Sequence, residues 1–437
     1  MAEKKNKLDA VARLKLLFDD GIYTELDKDD STGARIGYGS VCGATVYAYA
    51  EGNEEGFGVA SAKKLEKIYT LAEKTGYPVV SIYDSQGVQL NDGLAALDTC
   101  SSLLGHISRL SGVVPQISVV AGTCGGFAAL CANMADLCLM EKDAELFLTA
   151  PFVDAEAEEG AGKSDAAKKT GLAAMVCDGE ENLLGKTRQL LAILPLNNLA
   201  SAPVVDFETP ANDPDACPVC ITTDVDSKII LFAGLGSSAT TLLATMGGST
   251  VGVVKVAGRL CRGDSKKIAR LVQFCDAFSI PVVTFVDSEG FLQSTKNDLM
   301  GGTRNASILA HALSEATTPK VCVIYGKAIG SIYSVLCGKN AGNDMVYAWN
   351  NAVISALPAK TAVGVFWEDR IEKDSDIDRL AAEYEKTEAT AVKAVEAGLV
   401  DRVITRDETR SVLIETLDML SSKRVSTLSK KHGILPY

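Results

Sequence analysis

Histidine is scarce in this chain. There are three in 437 residues, His106, His311 and His432, and no two are close together. That thins out the side chain most used for acid–base work near neutral pH and for binding metals. Positive charge is also short: 43 Lys and Arg face 56 Asp and Glu, for a net charge of −13 and a pI near 4.9. A nucleic-acid binder would show the opposite balance, and anionic lipid would be repelled. An anionic ligand must then be held by local cations or by backbone N–H groups. No apolar run follows the charged start Met1-Ala-Glu-Lys-Lys-Asn-Lys-Leu-Asp9, so no signal peptide is read there and a cytoplasmic protein is expected. The twelve cysteines are then expected as reduced thiols packed like small apolar residues. Cys217-Pro-Val-Cys220 has metal-like spacing, but neither a second pair nor a histidine accompanies it. A four-ligand zinc site would lack half its ligands. Long apolar runs are likewise interrupted. The uncharged stretches 113–135 and 233–254 reach bilayer length, but glycine and polar residues punctuate both, so they read as the buried core of a soluble α/β protein.

What the chain does have is a repeat. Residues 61–87 read SAKKLEKIYTLAEKTGYPVVSIYDSQG and residues 264–290 read DSKKIARLVQFCDAFSIPVVTFVDSEG, so Lys-Lys, Pro-Val-Val, Asp-Ser and a final Gly recur 203 residues apart. Further on, Ile117-Ser-Val-Val-Ala-Gly122-Thr-Cys-Gly125-Gly126-Phe127-Ala128 is matched by Val321-Cys-Val-Ile-Tyr-Gly326-Lys-Ala-Ile-Gly330-Ser331-Ile332 at an offset of 204. Each unit reads helix, buried strand, Asp-Ser-x-Gly turn, helix, buried strand, Gly-x-x-x-Gly turn, helix. Alternating helices and wholly apolar strands predict parallel βαβ units, giving an α/β fold made by internal duplication. The expected division is a first domain over 1–205, a proline-rich linker over 206–230 and a second domain over 231–437. An amphipathic helix over 10–18 is read as an arm, and a charged helix over 376–397 closes the chain.

A glycine turn opening onto a helix places unpartnered N–H groups where a ligand can approach the backbone. Gly126 with Phe127, and Ser331 with Ile332, are predicted as two oxyanion holes facing each other across one active site. Gly87, Gly122, Gly125, Gly290, Phe291, Gly330 and Tyr333 are predicted to line them. The alternative is that the glycines only let helices pack on strands. Cys124 offers a rival nucleophile, but no histidine stands in either motif to activate it, and its counterpart is Ala328. Asp84 and Asp287 are read as carboxylates capping the next turn, with general-base duty as the alternative. Neither copy has the Gly-x-Gly-x-x-Gly of a dinucleotide site.

These residues resemble the carboxyltransferase subunits of biotin-dependent acyl-CoA carboxylases and the related transcarboxylases and decarboxylases. The likeness runs along the chain, through Ala12-Arg-Leu-Lys-Leu-Leu-Phe-Asp-Asp-Gly21, Gly112-Val-Val-Pro-Gln-Ile-Ser118, Phe274-Cys-Asp-Ala-Phe278, Gly290-Phe-Leu292, Glu315-Ala-Thr-Thr-Pro-Lys320, Tyr347-Ala-Trp349 and Lys430-Lys-His-Gly433. It implies two tandem crotonase-like (ClpP/crotonase) domains. It also implies transfer of a carboxyl group between carboxybiotin and a short acyl-CoA. Gly126 and Phe127 would hold the thioester oxygen, and Ser331 and Ile332 the biotin ureido oxygen. Carboxybiotin would release CO2, the biotin enolate would take the acyl α-proton, and the carbanion would attack the CO2. The chain has no Met-Lys-Met biotinylation motif, so biotin is expected on a separate carrier, and coenzyme A enters as part of the substrate. Expected partners are that carrier, a biotin carboxylase or a membrane decarboxylase subunit, and further copies of the chain as a trimer of dimers. Two other readings stand beside this one: the carboxyltransferase subunit of a sodium-pumping decarboxylase, and a non-catalytic scaffold. The family's Asp-Ser-Gly-Gly-Ala-Arg becomes Asp84-Ser-Gln86-Gly-Val-Gln89, and its Gly-Gly-Ala-Tyr becomes Gly330-Ser-Ile332-Tyr333, read as bulkier beside the biotin oxygen.

Overall fold

The computed structural model describes residues 7–27, 32–52, 56–85, 87, 89–156, 158–373 and 375–436. Gln86 and Val88 of the first Asp-Ser-x-Gly turn thus lie outside the described residues. The chain divides into two units, residues 1–203 and 204–437.

In the first unit the strands are β1 (Tyr23–Glu25), β2 (Arg35–Val41), β3 (Ala44–Ala50), β4 (Val79–Tyr83), β5 (Gln116–Val120), β6 (Thr123–Gly125), β7 (Leu137–Glu141), β8 (Glu145–Phe147) and β9 (Met175–Cys177). Seven form one sheet in the order β1-β2-β3-β4-β5-β7-β9, and β6 pairs with β8 beside it. Every residue of β4, β5 and β7 is buried, as apolar strands covered on both faces should be. On one face Val79, Tyr83, Val120, Cys138 and Met140 meet the helices Val59–Thr75, Ala95–Leu110 and Phe127–Met134. Helix Glu180–Ile193 packs on β5, β7 and β9 and against helix Ala10–Leu17. The predicted arm is therefore part of its own unit.

The second unit repeats the plan with β10 (Ile229–Leu231), β11 (Ala239–Met246), β12 (Ser249–Ala257), β13 (Val282–Ser288), β14 (Lys320–Ile329), β15 (Met345–Trp349), β16 (Val353–Ser355) and β17 (Arg402–Ile404). The order is β10-β11-β12-β13-β14-β15-β17, with β16 also on β14. In both units two antiparallel pairings lead into parallel ones. The expected parallel βαβ units are present; the antiparallel strands lie at the leading edge of each sheet, where β2–β3 and β11–β12 are joined by two-residue turns instead of crossover helices.

The duplication reaches further than the sequence repeat. The β2–β3 turn has positive φ at Cys42 and Gly43, and its N–H groups donate to the Asp19 carboxylate at 3.0 and 3.1 Å. The β11–β12 turn has positive φ at Gly247 and Gly248, whose N–H groups donate to Asp224 at 3.0 and 2.9 Å. Arg188 bridges Asp19 and the Leu17 carbonyl, as Arg410 bridges Asp224 and the Thr222 carbonyl. Helix Pro218–Thr222 is thus the shortened counterpart of helix Ala10–Leu17. The stretch read as a linker over 206–230 is folded into the second unit, holding this helix and β10. The charged C-terminal helix is two, Asp376–Thr387 and Ala391–Glu396, because Thr390 caps the second and bridges to Val353.

Candidate functional site

Both glycine turns are built on the aspartate of the preceding strand. Asp84 Oδ1 accepts the Thr123 N–H at 3.1 Å, and Asp287 Oδ1 accepts the Lys327 N–H at 2.8 Å. A Cβ on Gly122 would lie 1.9 Å from Asp84 Oδ1, and one on Gly326 2.3 Å from Asp287 Oδ1. The first glycine of each Gly-x-x-x-Gly therefore clears a carboxylate. The two aspartates thus act as caps, but of glycine turns 39 and 40 residues on and not of the turn next in the chain. Next to them, Ser85 Oγ accepts the Gly87 N–H at 3.4 Å and Ser288 Oγ the Gly290 N–H at 3.3 Å. Phe57 and Leu260, 203 residues apart, each bond a turn through both backbone groups: Phe57 to Gly87 and Gln89, Leu260 to Gly290 and Leu292.

The second glycine of each motif has φ 61°, a region open to glycine and costly for other residues. It turns the Gly126 N–H onto the Phe147 carbonyl at 2.9 Å and the Gly330 N–H onto the Ser355 carbonyl at 2.8 Å. Gly126 is thereby corrected as a predicted donor, because its proton is already committed. The amides that follow, at Phe127 and Ala128 in one unit and Ser331 and Ile332 in the other, open a helical turn and have no acceptor four residues back. In the register set by the two φ 61° glycines, Ser331 and Ile332 correspond to Phe127 and Ala128. The sequence reading had set them against Gly126 and Phe127, one residue out of step.

The side chains follow the same register. Ala128 and Ile332 are fully buried, whereas Phe127 is half-buried and Ser331 exposed. Ile332 thus adds its bulk to the interior, and the group standing outside at the second turn is the Ser331 hydroxyl. The Phe127 ring lies 6.0 Å from that of Phe57. Gly125 is fixed by the Phe147 ring, 2.4 Å from where its Cβ would be. Half-buried Phe291 pairs with Leu260, and the Tyr333 hydroxyl donates to the Leu399 carbonyl at 2.6 Å. Cys124 is fully buried and its thiol is pushed well above its ordinary pKa, first by burial and then by Glu51, which disqualifies it as a nucleophile. His106 sits against Glu73 and Glu66, at 2.9 and 3.3 Å, and His311 against Glu315 at 3.2 Å, in structural contacts away from both glycine turns.

Sequence reading missed what stands behind the first turn. Arg13 is fully buried and donates to Asp84 Oδ2 at 2.7 Å, to Glu180 at 2.8 and 2.9 Å, and to the Glu51 carbonyl at 2.6 Å. Burial works against its charge, but Glu180 and Asp84 outweigh it and raise its pKa. Behind the second turn Lys327 takes the supporting part, 3.1 Å from both Glu289 and Glu385, and Glu289 also meets Arg259 at 3.3 Å. Lys327 and Glu289 stood inside the repeated motifs and could have been singled out; Arg13 is 71 residues from Asp84 and could not.

Glu51 completes the cluster, accepting the Asp84 N–H at 2.8 Å and the Tyr49 hydroxyl at 2.7 Å. Burial is the main cause that pushes its carboxyl up to about 7 from an ordinary 4.5. The folded protein then holds this proton more tightly than the unfolded chain does. Its contribution is complete below pH 4.5 and disappears as pH rises through 7. Glu51→Gln keeps an acceptor for the Asp84 N–H and gives Tyr49 a donor. At pH 8 it is expected to be more stable than the parent by about 2–4 kcal/mol, with the difference vanishing near pH 4. Denaturant titrations of both proteins across that range test it, and parallel pH profiles would refute it.

The carboxyl transferase domain model matches residues 2–435, nearly the whole chain. The chain belongs to the carboxyl transferase family. It is 33% identical over 480 residues to the methylmalonyl-CoA decarboxylase subunit alpha of Veillonella parvula, covering 99% of this chain and 94% of that one. It is equally 33% identical, over 497 residues, to the propionyl-CoA carboxylase beta chain of Saccharopolyspora erythraea, covering 99% and 91%. Among solved structures, the hexameric transcarboxylase 12S with hydrolysed methylmalonyl-coenzyme A bound superposes with a TM-score of 0.91 at 28% identity, covering 99% of this chain and 93% of that one. As a carboxyl transferase the chain is an enzyme with two tandem crotonase-like units, a layout that its two matching sheets fit. Among the described residues no helix is long and apolar enough to cross a membrane.

Proposed function

We propose that this carboxyl transferase moves a carboxyl group between the biotin of a separate carrier protein and a short-chain acyl-CoA. Two pairs of backbone amides, Phe127 with Ala128 and Ser331 with Ile332, would hold the negatively charged oxygens. The observation that carries the reading is the duplicated φ 61° glycine with its N–H bonded away, which leaves the next two amides of each unit at the start of a helix. The resemblance assigns the first pair to the thioester oxygen and the second to the biotin ureido oxygen. The carrier's biotin supplies the carboxyl group and the base for the acyl α-proton. The chain's own work is to stabilise charge. Each donor aimed at an oxygen whose charge grows in the transition state is worth about 2.7–4 kcal/mol. Rigidity comes from Asp84 on Arg13 and from Asp287 under Gly326, so the donors are set before substrate arrives. No histidine is required, because both charged species are oxyanions.

In this reading one subunit's first unit works with a neighbour's second unit in a trimer of dimers, in the cytoplasm or peripheral to a membrane complex. The likeness to methylmalonyl-CoA decarboxylase favours a second direction, decarboxylation, which the family resemblance would couple to a membrane partner. The scaffold reading loses support, since Ile332 faces the interior and the second donor pair keeps its backbone. Carboxyl transfer from carboxylated carrier to acetyl-, propionyl- and butyryl-CoA, with the reverse reaction on the carboxylated products, tests the function. Turnover with propionyl-CoA is expected. An inert protein with every acyl-CoA, given a competent carrier, would overturn it.

A further inference from the structure

The Cys217-Pro-Val-Cys220 pair plays no part in carboxyl transfer, and its geometry is specific. Cys217 immediately precedes helix Pro218–Thr222, and Cys220 is that helix's third residue. This spacing brings the two Sγ atoms to 3.0 Å, with both residues half-buried. The backbone carrying them is pinned at both ends. Arg406 bonds the Ala216 carbonyl at 2.9 Å on one side, and Arg410 holds the Thr222 carbonyl and Asp224 on the other. The sulfurs are therefore neighbours by construction and not by the chance fold of a loose loop. A disulfide needs them about 1 Å closer.

The two thiols are also unequal. At Cys217 burial opposes ionisation, but it is outweighed by the Cys220 thiol, the N–H groups of Cys220 and Val219, and Lys255, so its pKa falls below the ordinary value. Cys220 shifts upward, first through its bond to Cys217 and then through burial. Position and direction of shift together favour Cys217, just before the first turn of the helix, as the attacking thiolate and Cys220 as the resolving thiol. Among the described residues no group of three or more His, Cys, Asp or Glu side chains is placed to hold a metal ion. Cys322 and Cys337 also interact with each other, but both are fully buried, out of reach of a dissolved oxidant.

We propose that Cys217 and Cys220 are a reversible redox dithiol that exchanges with low-molecular-weight disulfides. The Cys217 thiolate attacks one sulfur of the small disulfide, forming a mixed disulfide and releasing one thiolate. Cys220 then loses its proton and attacks the Cys217 sulfur, displacing the second small thiol. Two protein thiols are oxidised and one small disulfide is reduced to two thiols.

The test uses the full chain with exposed Cys42 replaced, as Cys42→Ser, in every arm. The protein is equilibrated in glutathione buffers of rising oxidised fraction, quenched with acid, alkylated and mapped by peptide mass. Loss of two thiols at Cys217 and Cys220, fully restored by dithiothreitol, is expected. Cys220→Ser should trap glutathione on Cys217, and at least about tenfold faster than Cys217→Ser acquires it on Cys220. Both thiols remaining free in fully oxidised glutathione would overturn the proposal. So would equal adduct rates in the two variants, which would mark two independent half-exposed thiols.

Discussion

Phe127→Pro is expected to lower turnover about 10²–10³-fold while leaving the unfolding temperature close to that of Phe127→Ala. Compared with alanine at the same place, proline removes one N–H and little else at the first residue of a helix, the position where its ring and fixed φ are best tolerated. Phe127 opens helix Phe127–Met134 directly after Gly126, so the substitution isolates the donor from the fold. Phe127→Ala controls for the lost ring, which rests near Phe57, and should keep most of the turnover number because the amide stays. Ser331→Pro is the matching experiment in the second unit. Cys124→Ala should be close to neutral in rate, since that thiol is buried and protonated. Steady-state kinetics with propionyl-CoA read all four. If Phe127→Ala falls as far as Phe127→Pro, the ring and not the amide matters, and the oxyanion assignment fails.

Arg13→Met should destabilise the first unit by about 3–5 kcal/mol, the cost of taking the buried cation from Asp84 and Glu180; Lys7, half-exposed and 3.2 Å from Asp84 Oδ1, remains as a partly solvated partner. Arg13 has no exposed side-chain surface, and Asp84, which it holds, has none either. Methionine fills most of the volume but returns none of the four hydrogen bonds to Asp84, Glu180 and the Glu51 carbonyl. Denaturant unfolding at fixed protein concentration, so that assembly contributes equally, measures the change. A loss below about 1 kcal/mol would show that the cluster relaxes or takes up protons. Activity should fall as well, because the same Asp84 carboxylate fixes the Thr123 N–H and so the entry to the first glycine turn. The effect on catalysis is predicted to exceed that of Lys327→Met on the second turn. There the aspartate is only partly buried, and the salt links of Lys327 are open to water.

The duplicated glycine motifs, the wholly apolar strands and the order of elements were legible from the residues alone, and so was the family. These are local signals: a strand buried on both faces must be apolar along its length, and a turn with φ 61° selects glycine. Which amide faces outward was not legible. The committed proton of Gly126 depends on Phe147, and that of Gly330 on Ser355, in strands of no obvious kinship. The one-residue error in the donor pair follows from that. The arm and the linker were misread for a related reason. Helices Ala10–Leu17 and Pro218–Thr222 share little sequence, yet each leads into an aspartate that clamps a two-residue turn and is clamped by an arginine. Those arginines stand 169 and 186 residues from their aspartates. The sequence by itself determined which residues permit each local conformation. Only the tertiary structure decided which partner takes each hydrogen bond, because the partners at the site, Arg13 with Glu180 above all, meet through folding across 167 residues and carry no periodic mark in the chain.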